Sequence, residues 1–269
     1  MKITIFTSNQ PRHLSFVSKL SEISDECFAI LECNTLFPGF QEDFFKKSKI
    51  MQNYFSKVLA AEKKIFNENY FLNSNIKVLS AKMGDLNKLS MQELSPALQS
   101  DIYIVFGSSY IKGWLIDYLL NKKAINIHMG ISPFYRGSSC NFWAAYQDDF
   151  HLIGATIHLL SKGLDSGNIL YHVVPSLDNC KNCFEFSMNA VKDAHDSIIE
   201  NIKMNRLLSI DSVKQDKTQE IKYTKNVDFT DEEANNFLNN EPSIKYIKDK
   251  LRNQYDEDLY IKKHLFKDF

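Results

Sequence analysis

What most constrains this chain is an alternation: short β-rich apolar runs are separated, repeatedly, by longer amphipathic stretches. The runs Lys2–Thr7, 27–31, 76–79, 102–106, 124–128 and 155–160 have the β-branched and aromatic content of buried strands. Between them, apolar residues at helical spacing predict helices over 13–23, 41–66, 112–120, 138–146 and 184–204. The stretch 41–66 carries Phe44, Phe45, Met51, Phe55, Val58 and Leu59, an apolar face expected to pack on the core. A strand–helix–strand unit buries its helix by crossing over to a parallel neighbour, and that crossover is right-handed. Repetition of the unit predicts an α/β fold: an open, mostly parallel, Rossmann-like sheet with helices on both faces. Ligands of such sheets bind beyond the carboxyl ends of the strands, near the point where strand order reverses.

Composition narrows the partners. With 269 residues and 44% hydrophobic content, the chain can bury a sizeable core at the upper edge of one domain. Lys+Arg 32 against Asp+Glu 33 leaves a net charge of -1, so no global field recruits nucleic acid or an acidic membrane. Apolar runs such as 102–106 fall far short of the roughly 20 residues of a membrane helix. The first residues are too short and too quickly polar for a secretory signal, so a cytoplasmic location is expected. Five cysteines without an export signal read as reduced thiols. After Leu208 the chain turns polar, notably over 214–220, which divides it into a main domain, 1–208, and a C-terminal extension, 209–269. Within the extension, Thr230 and Glu233 have capping-box spacing, and a further helix is expected near Pro242 and Ser243. Phe229, Phe237, Tyr246 and Leu251 suit a lid, an acceptor-binding arm or a homodimer contact.

Candidate chemistry concentrates between Asn126 and Gly167. On a strand, alternation places Asn126 and His128 on one face while Ile125 and Ile127 point the other way. An amide and an imidazole aimed at one point are suited to an acyl-transfer intermediate, whose oxygen gains negative charge. Asp165, between Gly163 and Gly167 after the strand at 155–160, can orient a neighbouring His and help remove a proton from an attacking ammonium. Taken singly, each also suits an ordinary strand end or turn. Cys180 and Cys183, with His172 and His195 nearby, have no second Cys-x-x-Cys to close a tetrahedral site, so no metal is expected. His158, on the strand leading to Asp165, is either an ordinary packed histidine or a group supporting the site, and is not counted among the site residues.

The combination is more specific than its parts. Asn-x-His, then Pro-x-x-Arg-Gly, Gly-x-Thr-x-His and Leu-Asp-x-Gly, in this order over 126–167, resembles the folate-dependent formyltransferase family. That family includes methionyl-tRNA formyltransferase, glycinamide ribonucleotide transformylase, formyltetrahydrofolate deformylase and sugar N-formyltransferases. The resemblance implies that residues 1–208 form the formyltransferase domain and that 10-formyltetrahydrofolate is the formyl donor. It also implies that Asn126 and His128 hold the formyl oxygen, that Asp165 orients His128, and that Phe106, Gly107, Ser108, Ser109, Tyr110 and Ile111 line the pterin pocket. Two departures stand out: Gly130 replaces the serine usual two residues after the histidine, and the loop 8–13 lacks the glycines of many relatives. Arg12 and His13 either bind acceptor phosphate or belong to a solvated loop. Arg136 either pairs with an anion or braces its own loop. The near-neutral charge disfavours tRNA, and the compact arrangement most resembles sugar N-formyltransferases, implying a nucleotide-linked amino sugar as acceptor. Other amines, deformylation and a non-catalytic folate- or nucleotide-binding module are the alternatives.

Overall fold

In chain order the elements are β1 (Lys2–Thr7), α1 (Pro11–Glu22), β2 (Glu26–Cys33), α2 (Lys49–Phe66), β3 (Ile76–Lys82), α3 (Met91–Leu94), β4 (Ile102–Val105), α4 (Gly113–Asn121), β5 (Ile125–His128), β6 (Tyr135–Gly137), α5 (Cys140–Tyr146), β7 (Ala155–Leu159), β8 (Ile169–Val173), α6 (Cys183–Lys203), β9 (Lys222–Thr224), α7 (Asp231–Asn239) and α8 (Ile244–Gln254). This computed structural model describes residues 1–37, 39–41, 43–67 and 70–254, so the last residues of the expected extension, 255–269, lie outside it.

The seven-stranded sheet has the order β3-β2-β1-β4-β5-β7-β8. Strands β1 to β5 pair in parallel, and strand order reverses between β1 and β4. Strand β4 illustrates why both faces are covered: Ile102 and Ile104 enter the core under α1, α2 and α6, whereas Tyr103 and Val105 enter the core under α3 and α4. The expected mostly parallel sheet is present, but mixed at one end, because β7 runs antiparallel to β5 and β8 antiparallel to β7. Strand β8, and the ribbon of β6 with β9, lie outside the predicted strands. β6 and β9 are three residues each and pair across more than 80 positions, Tyr135 with Lys222, whereas β8 is an apolar run that pairs with the nearby β7.

Helix boundaries follow local chemistry. Pro11 at the first position of α1 lacks the N–H that would be unsatisfied there. The predicted helix over 41–66 starts only at Lys49: Asp43 adopts a left-handed conformation (φ 51°), and Ser48 Oγ caps the helix by accepting the Met51 N–H at 3.1 Å. Thr230 caps α7 through the Glu233 N–H, and α8 follows Ser243, as the spacing predicts. Phe237 and Leu251 are buried within the chain's own core, and Tyr246 donates to Asp148 Oδ2 at 2.7 Å. Phe237 and Leu251 thus pack on this chain, while Tyr246 stays 40% exposed.

One buried carboxylate ties the sheet to the loop after β4. Glu32, fully buried, accepts the Gly84 N–H (2.9 Å), the Leu86 N–H (3.2 Å), the Ser109 N–H (2.6 Å) and the Ser109 hydroxyl (2.9 Å). Four hydrogen bonds hold this carboxyl group, and its removal orphans three backbone donors. Glu32→Ala is expected to destabilise the protein by roughly 3 kcal/mol in urea denaturation. Amide exchange at Ser109 should accelerate at the same time.

Candidate active site

A cavity of about 580 Å³ opens where the chain leaves β1, β4 and β5. Asn126, His128 and Asp165 converge on its wall. Asp165 Oδ1 accepts from Asn126 Nδ2 at 3.3 Å, and Asp165 Oδ2 lies 3.3 Å from His128 Nδ1. His128 Nε2 is 3.4 Å from the Tyr135 carbonyl.

The antiparallel register explains a fourth member. Asn126 pairs directly with His158, so both side chains emerge on one face of the sheet. His158 Nδ1 sits 2.8 Å from the Leu159 carbonyl, which can only accept, so this nitrogen carries the hydrogen. Burial pushes the imidazole down to about 4, against smaller opposing effects of the Leu159 carbonyl and Asp165. The neutral ring therefore offers Nε2 as an acceptor to Asn126 Nδ2 at 2.9 Å. This short bond fixes the amide's direction. The longer contacts to Asp165 and Tyr135 leave one Asn126 N–H and the His128 ring weakly committed, ready to turn toward an oxygen in the cavity. The sequence marks His158 as a histidine on the strand leading to Asp165; its hydrogen bond with Asn126 needs the strand opposite.

The loop after β7 lies flat against the strand it leaves. A Cβ at Gly167 would fall 1.7 Å from the Leu159 carbonyl oxygen, so only glycine permits the approach. Asp165 itself is in the left-handed region (φ 46°). Gln215, from beyond residue 208, donates through Nε2 to the carbonyls of Asp165 (2.9 Å) and Gly167 (2.8 Å). Arg136 bonds to Glu220 Oε2 at 2.7 Å and the Leu164 carbonyl at 3.0 Å, which is the bracing arrangement. The extension thus clamps the Asp165 loop from two sides.

Phe106, Gly107, Ser108, Ser109, Tyr110 and Ile111 all line the cavity. Arg12 lines it too, with Nη1 on Glu62 Oε1 at 2.8 Å. His13 does not. It is buried, receives or donates a hydrogen bond with Thr7 Oγ1 at 2.7 Å and stacks on Phe106 at 4.6 Å, and burial holds it well below the usual imidazole range. The opposite wall is aromatic: Tyr54 packs against Phe142 (5.7 Å), Phe184 (5.3 Å) and Phe229 (4.9 Å). Helix α2 therefore serves both core and cavity. Cys180, Cys183, His172 and His195 do not assemble: His195 stacks on Phe16 at 4.2 Å, and His172 Nε2 meets the Ser132 carbonyl at 2.7 Å. Among the described residues no three His, Cys, Asp or Glu side chains are grouped to hold a metal ion, and no helix is long and apolar enough to cross a membrane.

A family model, Formyl transferase, matches residues 42–201, which include Asn126, His128 and Asp165. The chain belongs to this family. Methionyl-tRNA formyltransferase of Trichodesmium erythraeum is 25% identical over 118 residues, 44% of this chain and 35% of that protein. Formyltetrahydrofolate deformylase 1, mitochondrial, of Arabidopsis thaliana is 32% identical over 82 residues, 30% of this chain and 23% of that protein. The matched stretches thus span well under half the length of these relatives. Among solved structures, a 4-N formyltransferase from Francisella tularensis has 19% identity, a TM-score of 0.50, and coverage of 85% of this chain and 77% of its own. The sugar 3N-formyl transferase WlaRD has 18% identity, a TM-score of 0.51, and coverage of 86% and 71%. The fold is that of the formyl transferases.

Gly130 has a steric explanation. A Cβ there would lie 2.5 Å from Cys140 Cβ and 2.9 Å from His128 Nε2. Gly130→Ser is expected to cost about 1–3 kcal/mol in thermal or urea unfolding, and Cys140→Gly in the same chain should recover part of the loss. His13, His158 and His195 are all held neutral by burial, so the unfolded chain binds more protons below the ordinary histidine pKa. Stability should therefore fall as pH drops from about 6.5 toward about 4. Melting curves across that window check the sign, and His158→Phe should flatten the slope.

Proposed function

We propose that this chain is an N-formyltransferase that moves a formyl group from 10-formyltetrahydrofolate to the amine of a nucleotide-linked amino sugar. The observation that carries this reading is the convergence of Asn126, His128 and Asp165 on a cavity also lined by residues 106–111. Sugar acceptors are supported by the resemblance of the fold to WlaRD, whose structure was solved in the presence of dTDP and 5-N-formyl-THF. The Ser109 N–H and the Tyr110 carbonyl are committed to Glu32 and Asn87, so Gly107, Ser108 and Ile111 supply the backbone groups facing a pterin edge.

The acceptor nitrogen attacks the formyl carbon, and the carbonyl π pair moves onto oxygen. Asn126 Nδ2–H and the His128 ring turn toward that oxyanion, while His158 keeps the amide oriented. The attacking nitrogen loses its proton through the Asp165–His128 pair. Collapse breaks the bond between the formyl carbon and folate N10, which takes up a proton. No covalent enzyme intermediate is needed: burial raises the thiol pKa of Cys140, the nearest candidate nucleophile. Residues 1–208 act as the catalytic domain, and the extension 209–269 contributes Gln215 to the Asp165 loop and Phe229 and Phe237 to the acceptor wall.

Purified protein should formylate at least one member of a panel of nucleotide-linked amino sugars. Asn126→Ala and His128→Ala should each lower kcat by about a hundred- to a thousandfold. His158→Phe should lower it by up to about a hundredfold with little change in donor KM, because it misdirects a donor that is still present. Near-wild-type turnover in Asn126→Ala would sink the assignment. Donor consumption without any acceptor would replace transfer with hydrolysis.

A further inference from the structure

The loop between β2 and α2 displays more apolar surface than its own packing needs. Leu36, Phe37 and Phe45 are 86%, 73% and 79% exposed, and Phe40 is 45% exposed. The rings of Phe40 and Phe45 lie 6.3 Å apart, with Phe44 5.3 Å from Phe45, bordering a groove of about 400 Å³.

This loop is carried by the residues next to Arg12. Asn9 Nδ2 donates to the Thr35 carbonyl at 2.7 Å, Gln10 Nε2 donates to the Phe40 carbonyl at 2.9 Å, and Gly39 packs by Pro11. Gln41 lines both the aromatic groove and the catalytic cavity. Among the described lining residues of that cavity, Arg12 is the one Arg or Lys. Glu62 Oε1 accepts from both the Arg12 N–H (3.1 Å) and Nη1 (2.8 Å), which fixes the guanidinium by one corner. Its remaining N–H groups have no protein partner among the described residues. The groove and the cavity that holds Asn126, His128 and Asp165 thus share Gln41, and Arg12 lines that cavity beside the residues that carry the aromatic loop.

We propose that the groove of Phe37, Phe40 and Phe45 is the subsite for the planar base of the acceptor nucleotide, with Arg12 meeting the diphosphate between base and amino sugar. The proposal rests on the amino-sugar nucleotide reading and specifies how that acceptor is held. Ring faces stack on any base, and an anion between base and sugar needs a cation. A lipid surface is a poorer match: Lys46, next to these rings, is paired with Asp43 at 2.9 Å.

The test is calorimetric titration of the full chain with UDP, dTDP, GDP, CDP and ADP, and with inorganic pyrophosphate. At least one nucleoside diphosphate should bind more tightly than pyrophosphate. The double variant Phe40→Ala, Phe45→Ala should weaken that nucleotide by about tenfold or more, while pyrophosphate binding is unchanged. Arg12→Ala should weaken both ligands. Phe71→Ala, at a ring 90% exposed outside the groove, should behave as wild type. Unchanged circular dichroism and 10-formyltetrahydrofolate binding would show that the double variant is folded. The subsite is overturned if no nucleoside diphosphate binds, if the double variant binds like wild type, or if its only defect is lost self-association, which would assign the groove to a second copy. Equal formylation of a nucleotide-linked amino sugar, at equal KM, by wild type and double variant would remove the subsite yet keep the transferase. Nucleotide binding without transfer to any amine would keep the groove and remove the transferase.

Discussion

The antiparallel pairing of β7 on β5 is the constraint on which the site depends. It sets Asn126 directly opposite His158 and His128 opposite Thr156, so the polar residues of two strands share one face. A slip of one residue would turn the strand's apolar side to the cavity and its polar side to the core. With the register held, burial keeps His158 neutral, and its free nitrogen points one amide at 2.9 Å. Asp165 then reaches both Asn126 and His128 because glycine lets its loop lie against the Leu159 carbonyl.

The chain beyond residue 208 is structural support for that arrangement. Gln215 holds the Asp165 loop through two carbonyls, Glu220 anchors Arg136, and β9 completes a ribbon with β6. Phe229 and Phe237 close the aromatic wall begun by α2, α5 and α6, with Phe229 4.6 Å and Phe237 5.3 Å from Phe142. The same rings that exclude water from the core thus shape the cavity.

Much of the fold was readable because buried parallel strands announce themselves as apolar runs between amphipathic helices. Residues 126, 128 and 165 were readable because period-two alternation and bracketing glycines are local properties. The loop 106–111, assigned to a pocket only by the family resemblance, lines the cavity. His13 illustrates the limit: a polar residue after a strand looked available for a ligand, yet Thr7 and Phe106 enclose it. Glu32 was missed for the converse reason. It follows an apolar run, and its partners at positions 84, 86 and 109 come together only in the folded sheet.

By itself, then, the amino-acid order determined the central strands β1 to β5 and β7, most of the helices packed on them, and the residues able to carry charge or donate hydrogen bonds, since these follow from periodicity and side-chain chemistry along a few neighbouring positions. Only the tertiary structure decided that β7 returns antiparallel, that His158 is neutral and faces Asn126, and that Gln215 and Arg136 clamp the Asp165 loop. Each of those facts is a contact between segments tens of residues apart. Its energy depends on burial and register, and neither exists until the sheet has closed over its core.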